Sequence, residues 1–314
     1  MMRRKVPCKA ATSDQGFVLV AVLWILAALS ALAMIFAVYL SNSAQALAVN
    51  DAGLQAEALV SGSLELTAYQ LSLAGDKARP FQGSFHYRLD KAETLVSFVS
   101  ETARIDLNLA PKDMLANLLS GLGAGPENAG QYADRIIGWR TPPKADSAED
   151  EVSLYRAAGL AYSPRQAPFA HANELALVVG LPPALVERAL PFVTVFSGQP
   201  KINPLVAPPE VIAALPAMTP SGLKEFLAER PALPSDAAAI ATALGPAQAG
   251  ATIEKTDVFR ILTTIRFDNG RQSSSEVVIK LGGEQDPYRV LSWQDDVAVA
   301  TSRPQKLAGD DDDL

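Results

Sequence analysis

One group of side chains that could do chemistry is a short acidic run near the middle of the chain. Asp146, Glu149, Asp150 and Glu151 fall in a stretch of six positions. Carboxylate oxygens are the ligands that a hard cation such as Ca²⁺ prefers. This spacing makes the four residues candidate calcium ligands, with a solvated acidic loop as the alternative.

Other residue types that could support catalysis or metal binding are scarce. The chain has one cysteine, Cys8, and two histidines, His86 and His171. A disulfide framework and a thiolate zinc site therefore cannot form, and two histidines are too few for a histidine-rich site. His171 and Glu174 are the one suggestive acid–base pair, and a capping or surface role is the alternative. We predict that the chain is not an enzyme and requires no cofactor.

A further candidate site is the peptide bond between Gly16 and Phe17, where a long apolar run begins. Phe17–Leu40 contains no charged residue. As a helix it would be about 36 Å long, enough to cross a hydrocarbon core of roughly 30 Å. The apolar region of a cleaved signal peptide is shorter, at about 7–15 residues. The run therefore predicts a transmembrane helix that the mature protein keeps, and a plain signal anchor is its simplest form.

Charge on the two sides of this helix predicts its orientation. The first sixteen residues carry a net charge of +3 and the whole chain carries −7, so the remainder carries −10. The positive-inside rule then puts the N-terminus in the cytoplasm and the body of the chain on the opposite side. An acidic body is also a poor partner for nucleic acid, whose affinity comes largely from Lys and Arg on phosphates.

The Gly16–Phe17 junction resembles the type IV prepilin signal. In that family a membrane peptidase cuts after the glycine and methylates the new N-terminal residue, here Phe17, while the apolar helix is kept. The family usually has Glu at the fifth mature position, where this chain has Ala21. A carboxylate in the bilayer is costly, and it is kept when it pairs with the N-terminal ammonium of another subunit. Its absence indicates a subunit at the tip of a filament.

The helix is predicted to continue beyond the membrane. Residues 41–74 contain no proline and are rich in Ala and Leu, and Asp76 and Pro80 end the pattern. Apolar residues recur along one helical face at Leu47, Leu54, Ala58, Leu64, Ala68 and Leu71. We predict that this face, exposed from Leu47 to Leu71, packs against other subunits.

The rest of the chain predicts one antiparallel sheet that is interrupted by helices. Strand-like alternation appears before and after a helical block, and Asp268-Asn269-Gly270 is a strong hairpin turn. The predicted strands are 83–89, 95–102, 258–267, 276–281 and 288–293, with a turn at 90–93. Two strands, a helical block and two or three further strands imply a sheet with a helical insertion.

The helical block contains repeated motifs that look like helix-hairpin-helix units. Ile105–Pro111 and Ile202–Pro208 share an extended entry followed by a proline near the first helical turn. Gly121-Leu122-Gly123, followed by a helix predicted at Ala133–Arg140, is the best candidate for binding DNA through free backbone N–H groups. Pro182 and Pro183 remove two such donors from another hairpin. A membrane-anchored DNA-binding protein is therefore the alternative function.

Together these features resemble the minor pseudopilin K family of the type II secretion system, the general secretion pathway protein K. The resemblance extends over nearly the whole chain and rests on the order and spacing of short motifs. Besides Gly16-Phe17 and Ala21, these are Ile105–Pro111, Ile137–Arg140, Ala148–Asp150, Phe169–Leu175, Pro191–Val195 and Ile202–Val211.

The resemblance implies an α+β fold in which a long, pilin-like N-terminal helix packs on an antiparallel sheet that carries a large inserted α-helical domain. It implies a subunit at the tip of the periplasmic pseudopilus, in complex with minor pseudopilins I, J and often H. Prepilin peptidase would be a further partner, and secreted substrates or the outer-membrane secretin would contact the tip. The protein would be a single-pass protein of the bacterial inner membrane that binds no nucleic acid. Family members can also bind calcium in acidic loops.

These expectations divide the chain into six segments. They are a cleaved leader at 1–16, a transmembrane helix at 17–40, the continued helix with the first strands at 41–104, the helical insertion at 105–250, the returning strands at 251–300 and an acidic, disordered tail at 301–314.

Overall fold

The computed structural model describes residues 14–142, 148–282 and 286–297. They belong to two compact units, one ending at Ala58 and one beginning at Leu59. Helix α1 (Asp14–Leu73) begins in the first unit and ends in the second. Within the first unit, Val18–Ser43 is long and apolar enough to cross a membrane, and its large apolar side chains are exposed. An apolar surface of this length is typical of a membrane-spanning helix.

The second unit is built on a five-stranded antiparallel sheet with the strand order β1-β2-β5-β6-β7. Its strands are β1 (Gln82–Leu89), β2 (Ala92–Ser100), β5 (Val258–Phe267), β6 (Gln272–Leu281) and β7 (Tyr288–Asp295). Two short strands, β3 (Ile105–Asp106) and β4 (Val193–Thr194), lie between β2 and β5 in the sequence. They pair with each other in a two-residue parallel ladder.

Turn chemistry fixes the register of the two hairpins. Asp90 takes a positive φ of 50° in the loop between β1 and β2, and Gly270 takes 83° in the loop between β5 and β6. Positive φ suits the two-residue turn of the first hairpin, and it also suits the last turn residue of the longer loop in the second. The first turn is Asp90–Lys91 alone, so Ala92 and Glu93, predicted to lie in the turn, already belong to β2.

The last part of α1 packs on one face of this sheet. Leu64, Ala68 and Leu71 are buried. The Tyr87 hydroxyl, from β1, lies 2.9 Å from the Ser63 hydroxyl and donates to the Leu59 carbonyl at 2.9 Å. Alternation along β2 and β5 places Val96, Ile261 and their neighbours against the helix. The predicted α+β fold, a long helix on an antiparallel sheet with inserted helices, is confirmed.

Residues 101–257 leave the sheet after β2 and return to it at β5 as a helical insertion. Its helices are α3 (Lys112–Gly121), α4 (Pro126–Arg140), α5 (Ala148–Ala157), α6 (Pro183–Ala189), α7 (Pro209–Ala213), α8 (Pro220–Glu229) and α9 (Ala237–Leu244). A short helix, α2 (Gly75–Ala78), precedes the sheet, and five 3₁₀ turns lie at 101–103, 172–177, 190–192, 230–232 and 245–250. The insertion has its own core of about thirty apolar side chains, centred on residues such as Met114, Ile136 and Val211.

The two proline motifs form matching halves within the insertion. Pro111 and Pro208 precede α3 and α7 with nearly the same backbone angles, φ −68° and ψ 157° in one and φ −66° and ψ 157° in the other. Asp106 accepts from the backbone N–H two residues ahead at 2.8 Å, and Asn203 does the same at 3.0 Å. The sequence repeat therefore corresponds to a repeated loop–helix structure.

Two further sequence-based expectations are wrong. Helix α4 begins at Pro126 and not at Ala133, because proline suits the first helical position and its fixed φ begins the helix earlier. The apolar face of α1 is not exposed as far as Leu71, because its residues from Leu64 to Leu71 are covered by the sheet of the same chain. Most of the predicted leader and the acidic tail lie outside the described residues.

Candidate assembly surface and domain junction

A buried ion network stands where the insertion leaves the sheet. Glu101 follows β2 directly, and its side chain is 0% exposed. Arg260, from β5, donates to Glu101 at 2.6 Å and also pairs with Glu276 on β6. Thr194, in the insertion, donates to the second Glu101 oxygen. The carboxylate therefore joins the sheet to the insertion through both of its oxygens.

Electrostatics within this network favour the paired state. Burial opposes the charge of Arg260, but Glu101 and Glu276 outweigh it and raise the pKa of its guanidinium. Arg104 lies beside them, 3.7 Å from Glu276. Burial and the charge of Arg260 lower the pKa of Arg104. The positive charges of two arginines and the negative charges of two glutamates thus compensate each other in a site that is largely closed to water.

A second arginine stabilises the point where the chain returns to the sheet. Arg79 is buried, and its guanidinium pairs with Asp257 at 2.6 Å and with Asp76 at 2.7 Å. It also donates to the backbone carbonyls of Leu71, in α1, and Thr256. These contacts join the end of α1 to the strand entry of β5. Both connections of the insertion are therefore held by a buried arginine.

Helix α1 presents a second apolar surface on the side away from the sheet. Leu66, Tyr69 and Leu73 are 44%, 65% and 74% exposed. Their spacing of three and four residues puts them on one face of the helix. We call this face the α1 stripe. It replaces the predicted packing face, whose described members from Leu64 onward are buried.

The candidate calcium ligands are only partly described. Asp146 lies outside the described residues, and for Glu149 and Asp150 only the helical backbone of α5 is described. Glu151 pairs with Arg135 at 2.7 Å, and burial raises the pKa of its carboxyl group. No group of three potential metal ligands occurs in the described ranges. The calcium site stays a prediction, and calorimetry that detects no binding in the millimolar range would remove it.

His171 and Glu174 hold local structure together. The His171 imidazole accepts from the Asn173 N–H at 3.1 Å and caps the 3₁₀ turn that follows it. Glu174 accepts from the Trp139 indole at 3.2 Å and from Arg165 at 3.0 Å. These partners support the capping and surface alternative for the pair.

The glycine hairpin between α3 and α4 does not offer free backbone donors. The N–H groups of Leu122, Gly123 and Ala124 all donate at 3.0 Å to carbonyls at the end of α3. This is the usual way of satisfying the last carbonyls of a helix. The N–H groups of the predicted hairpin are therefore used within the protein, and the geometry gives the DNA-binding alternative no support.

Sequence reasoning missed the role of two arginines in the repeated halves. Arg140, at the end of α4, donates to the carbonyls of Leu107 and Ala110 (2.7 Å for the latter). Arg230, directly after α8, donates to Ala207, the counterpart of Ala110, at 2.8 Å. The sequence contains a signal for this role, because each arginine lies at the end of the second helix of a repeated motif or directly after it.

Two glycines of α4 give a matched prediction about its packing. A Cβ on Gly138 would lie 2.5–2.9 Å from the Glu151 carboxyl group, whereas nothing lies within 4 Å of one on Gly130. We expect Gly138→Ala to displace the Glu151–Arg135 pair and destabilise the protein by about 1 kcal/mol. We expect Gly130→Ala to stabilise it by about 0.5–1 kcal/mol through helix propensity. Thermal unfolding of the two variants measures both, and equal shifts would contradict the packing described.

The predicted processing site lies at the start of α1. Gly16 and Phe17 have helical backbone, and their side chains are outside the description. Cleavage between them stays a prediction, since nothing in the fold tests it.

Part of the chain is similar to proteins of known function. Residues 94–198, from β2 to just beyond β4, match the family model for the first domain of type II secretion system (T2SS) protein K. A relative from Klebsiella pneumoniae, type II secretion system protein K, is 30% identical over 117 residues, which are 36% of this chain. The matched part spans about a third (35%) of that relative's length.

A solved structure extends the likeness to most of the fold. It is the crystal structure of the GspK-GspI-GspJ complex from the enterotoxigenic Escherichia coli type 2 secretion system. The likeness covers 78% of this chain and 96% of that chain, with a TM-score of 0.61 and 16% identity. At this identity it shows a shared fold. Residues 94–198 of this chain are similar to the first domain of type II secretion system protein K, and the family resemblance predicted from the motifs is confirmed.

Proposed function

We propose that the chain is a minor pseudopilin at the tip of the type II secretion pseudopilus, where it supports pseudopilus assembly and protein export across the outer membrane. The observation that carries this proposal is the protein K domain at residues 94–198, inserted in a sheet that packs on a long helix. The protein K family is a structural component of its secretion system, and we propose that this chain likewise has no enzymatic activity.

We further propose how the chain is placed and processed. The apolar segment of α1 anchors it in the inner membrane by a single pass, with the basic N-terminus in the cytoplasm and the body in the periplasm. Prepilin peptidase cleaves between Gly16 and Phe17 and methylates Phe17. We keep the six-segment division of the chain as part of this proposal, with bounds at 16, 40, 104, 250 and 300. Ala21 supports a tip position, because the chain lacks the membrane carboxylate that would pair with a subunit ahead.

We propose minor pseudopilins of the I, J and H types as direct partners, and secreted substrates or the secretin as contacts of the tip. The fold neighbour was solved in a GspK-GspI-GspJ complex. The α1 stripe offers a surface for such partners, because three large apolar side chains on one helical face remain uncovered. Helix-in-groove and helix–helix contacts use anchors at this spacing.

The proposed interface can be tested by co-purification. The full chain, expressed with the I- and J-type pseudopilins of its own system and extracted in detergent, is expected to co-purify with both. Tyr69→Glu together with Leu73→Glu should reduce recovery of the partners at least about tenfold, because an interface that must bury two charges loses well over 1.4 kcal/mol.

Leu89→Glu is the matched control, because Leu89 is also an exposed apolar residue (61%) but lies at the end of β1. It should leave recovery unchanged. Loss of partners in the Leu89 variant alone, or full recovery in the double variant, would place the interface elsewhere.

A further inference from the structure

A cationic groove lies beside the return of the chain to the sheet, in the second unit. Its volume is about 690 Å³, within the range of roughly 300–1,000 Å³ that ligand clefts have. One wall comes from the segment before β1 and the other from the insertion. Phe81, Leu205 and Leu233 give it an apolar lining, and Arg79, Arg230 and Lys255 supply charge. None of its lining residues is acidic.

Two of the three cations have no carboxylate partner within the described ranges. Arg79 is neutralised by Asp76 and Asp257, which do not line the groove. Arg230 donates only to the Ala207 carbonyl among the hydrogen bonds of the described part. Lys255 donates to the Arg79 carbonyl at 2.6 Å and lies 3.7 Å from the centre of the Phe81 ring. Burial, and to a smaller extent the neighbouring charge of Arg79, lower the pKa of Lys255.

The repeated halves of the insertion explain why Arg230 keeps its charge uncompensated. Its counterpart Arg140 lies near Asp106, which compensates part of its charge. In the second half the position of Asp106 is taken by Asn203, which is neutral. The second half therefore contains the arginine and its contact with a backbone carbonyl, but it has no acidic residue at the position of Asp106.

We propose that this groove binds an acidic peptide segment, and that its occupant is the chain's own run Asp310–Asp313. Four consecutive aspartates form the densest run of one charge in the sequence. Their carboxylates complement Arg230 and Lys255, and charge-assisted hydrogen bonds to guanidinium and ammonium groups are the strong ones. The proposal is independent of the role in secretion.

The chain is long enough to reach the groove. The groove lies at the start of β1, and the pairing register places Asp295, the end of β7, in the row of Phe85, three residues from Gln82. Four strand spacings of about 4.8 Å and three residues of about 3.3 Å each give a diagonal of roughly 22 Å. The segment from Val297 to Asp310 extends to about 43 Å, at roughly 3.3 Å per residue. The tether therefore spans the sheet with length to spare.

Disulfide trapping in the full chain in detergent tests the proposal. Cys8→Ser removes the one native cysteine, Ser235→Cys places a thiol in the groove, and Ala308→Cys places one beside the intact acidic run. The matched control carries Ser221→Cys in place of Ser235→Cys, and Ser221 lies about 13 Å along α8 from Arg230 in the groove. We expect the intramolecular disulfide to form at least about five times faster in the test chain, because docking raises the effective concentration of the two thiols.

Two further arms separate charge recognition from chance contact. The rate of disulfide formation in the test chain should fall to that of the control chain in 1 M NaCl, where the Debye length is about 3 Å. It should fall equally when Asp310–Asp313 are replaced by Asn, a change that leaves the groove itself intact. Lys255→Gln with Arg230→Gln should have the same effect. Formation no faster than the control, a faster rate that survives these changes, or disulfide-linked dimers alone would overturn the proposal.

Discussion

Replacing Arg260 by methionine is expected to lower the free energy of unfolding of the second unit by about 3–5 kcal/mol. The reason is the fully buried Glu101 carboxylate, which loses its paired guanidinium and keeps the Thr194 hydroxyl as its hydrogen-bond donor, with Arg104 as a more distant charge. Glu276 would lose the same cation. Removing one member of a buried ion pair leaves an uncompensated charge, which costs far more than the pair contributes.

Arg266 provides the matched control for this experiment. It lies on the same face of β5 as Arg260 but is exposed. Arg266→Met should change stability by no more than about 0.5 kcal/mol. Adding Glu101→Gln to Arg260→Met should recover a substantial part of the loss, because it removes the orphaned charge. Denaturant unfolding of the full chain in detergent gives all three values. A loss below about 1 kcal/mol for Arg260→Met would contradict the proposed role of the network.

Substituting Gly16 by valine is expected to abolish processing of the N-terminus. In the type IV prepilin signal that the junction resembles, the peptidase cuts after a glycine. A β-branched side chain at that position would obstruct the close approach of the backbone that glycine allows. The variant should keep its leader and accumulate in the membrane at its full mass. Intact-mass spectrometry of the extracted protein measures this directly.

Gly53→Val is the control for the cleavage prediction. Gly53 lies in the same helix, and nothing lies within 4 Å of a Cβ at that position. This variant should be processed as completely as the wild type. If the Gly16 variant is processed as fully as the wild type, the cleavage site lies elsewhere.

The sheet was readable from the sequence because its signals are local. Strand β5 has the predicted bounds Val258–Phe267, since strict alternation and an Asp-Asn-Gly turn fix both its face and its end. Periodicity also marked an apolar face of α1 correctly. It gave no information about the neighbour that covers this face, and Leu64 to Leu71 proved to face the chain's own sheet.

The junction network could not have been predicted in the same way. Glu101 and Arg260 are 159 positions apart, and their pairing depends on β2 and β5 being neighbours around the insertion. The glycine hairpin is a different case. The segment Gly121–Gly123 matches the glycine hairpin of a helix-hairpin-helix unit. Only the structure shows that its N–H groups cap α3 and are not available to a ligand.

The most direct test of the account is the N-terminus of the wild-type protein extracted from membranes. A pilin-type subunit that is processed and assembled should begin at N-methyl-Phe17, having lost its basic leader and Cys8 and kept the apolar helix. Mass spectrometry of the intact protein and of its N-terminal peptide gives this result in one preparation. An intact Met1, or a terminus beyond residue 40, would contradict the account.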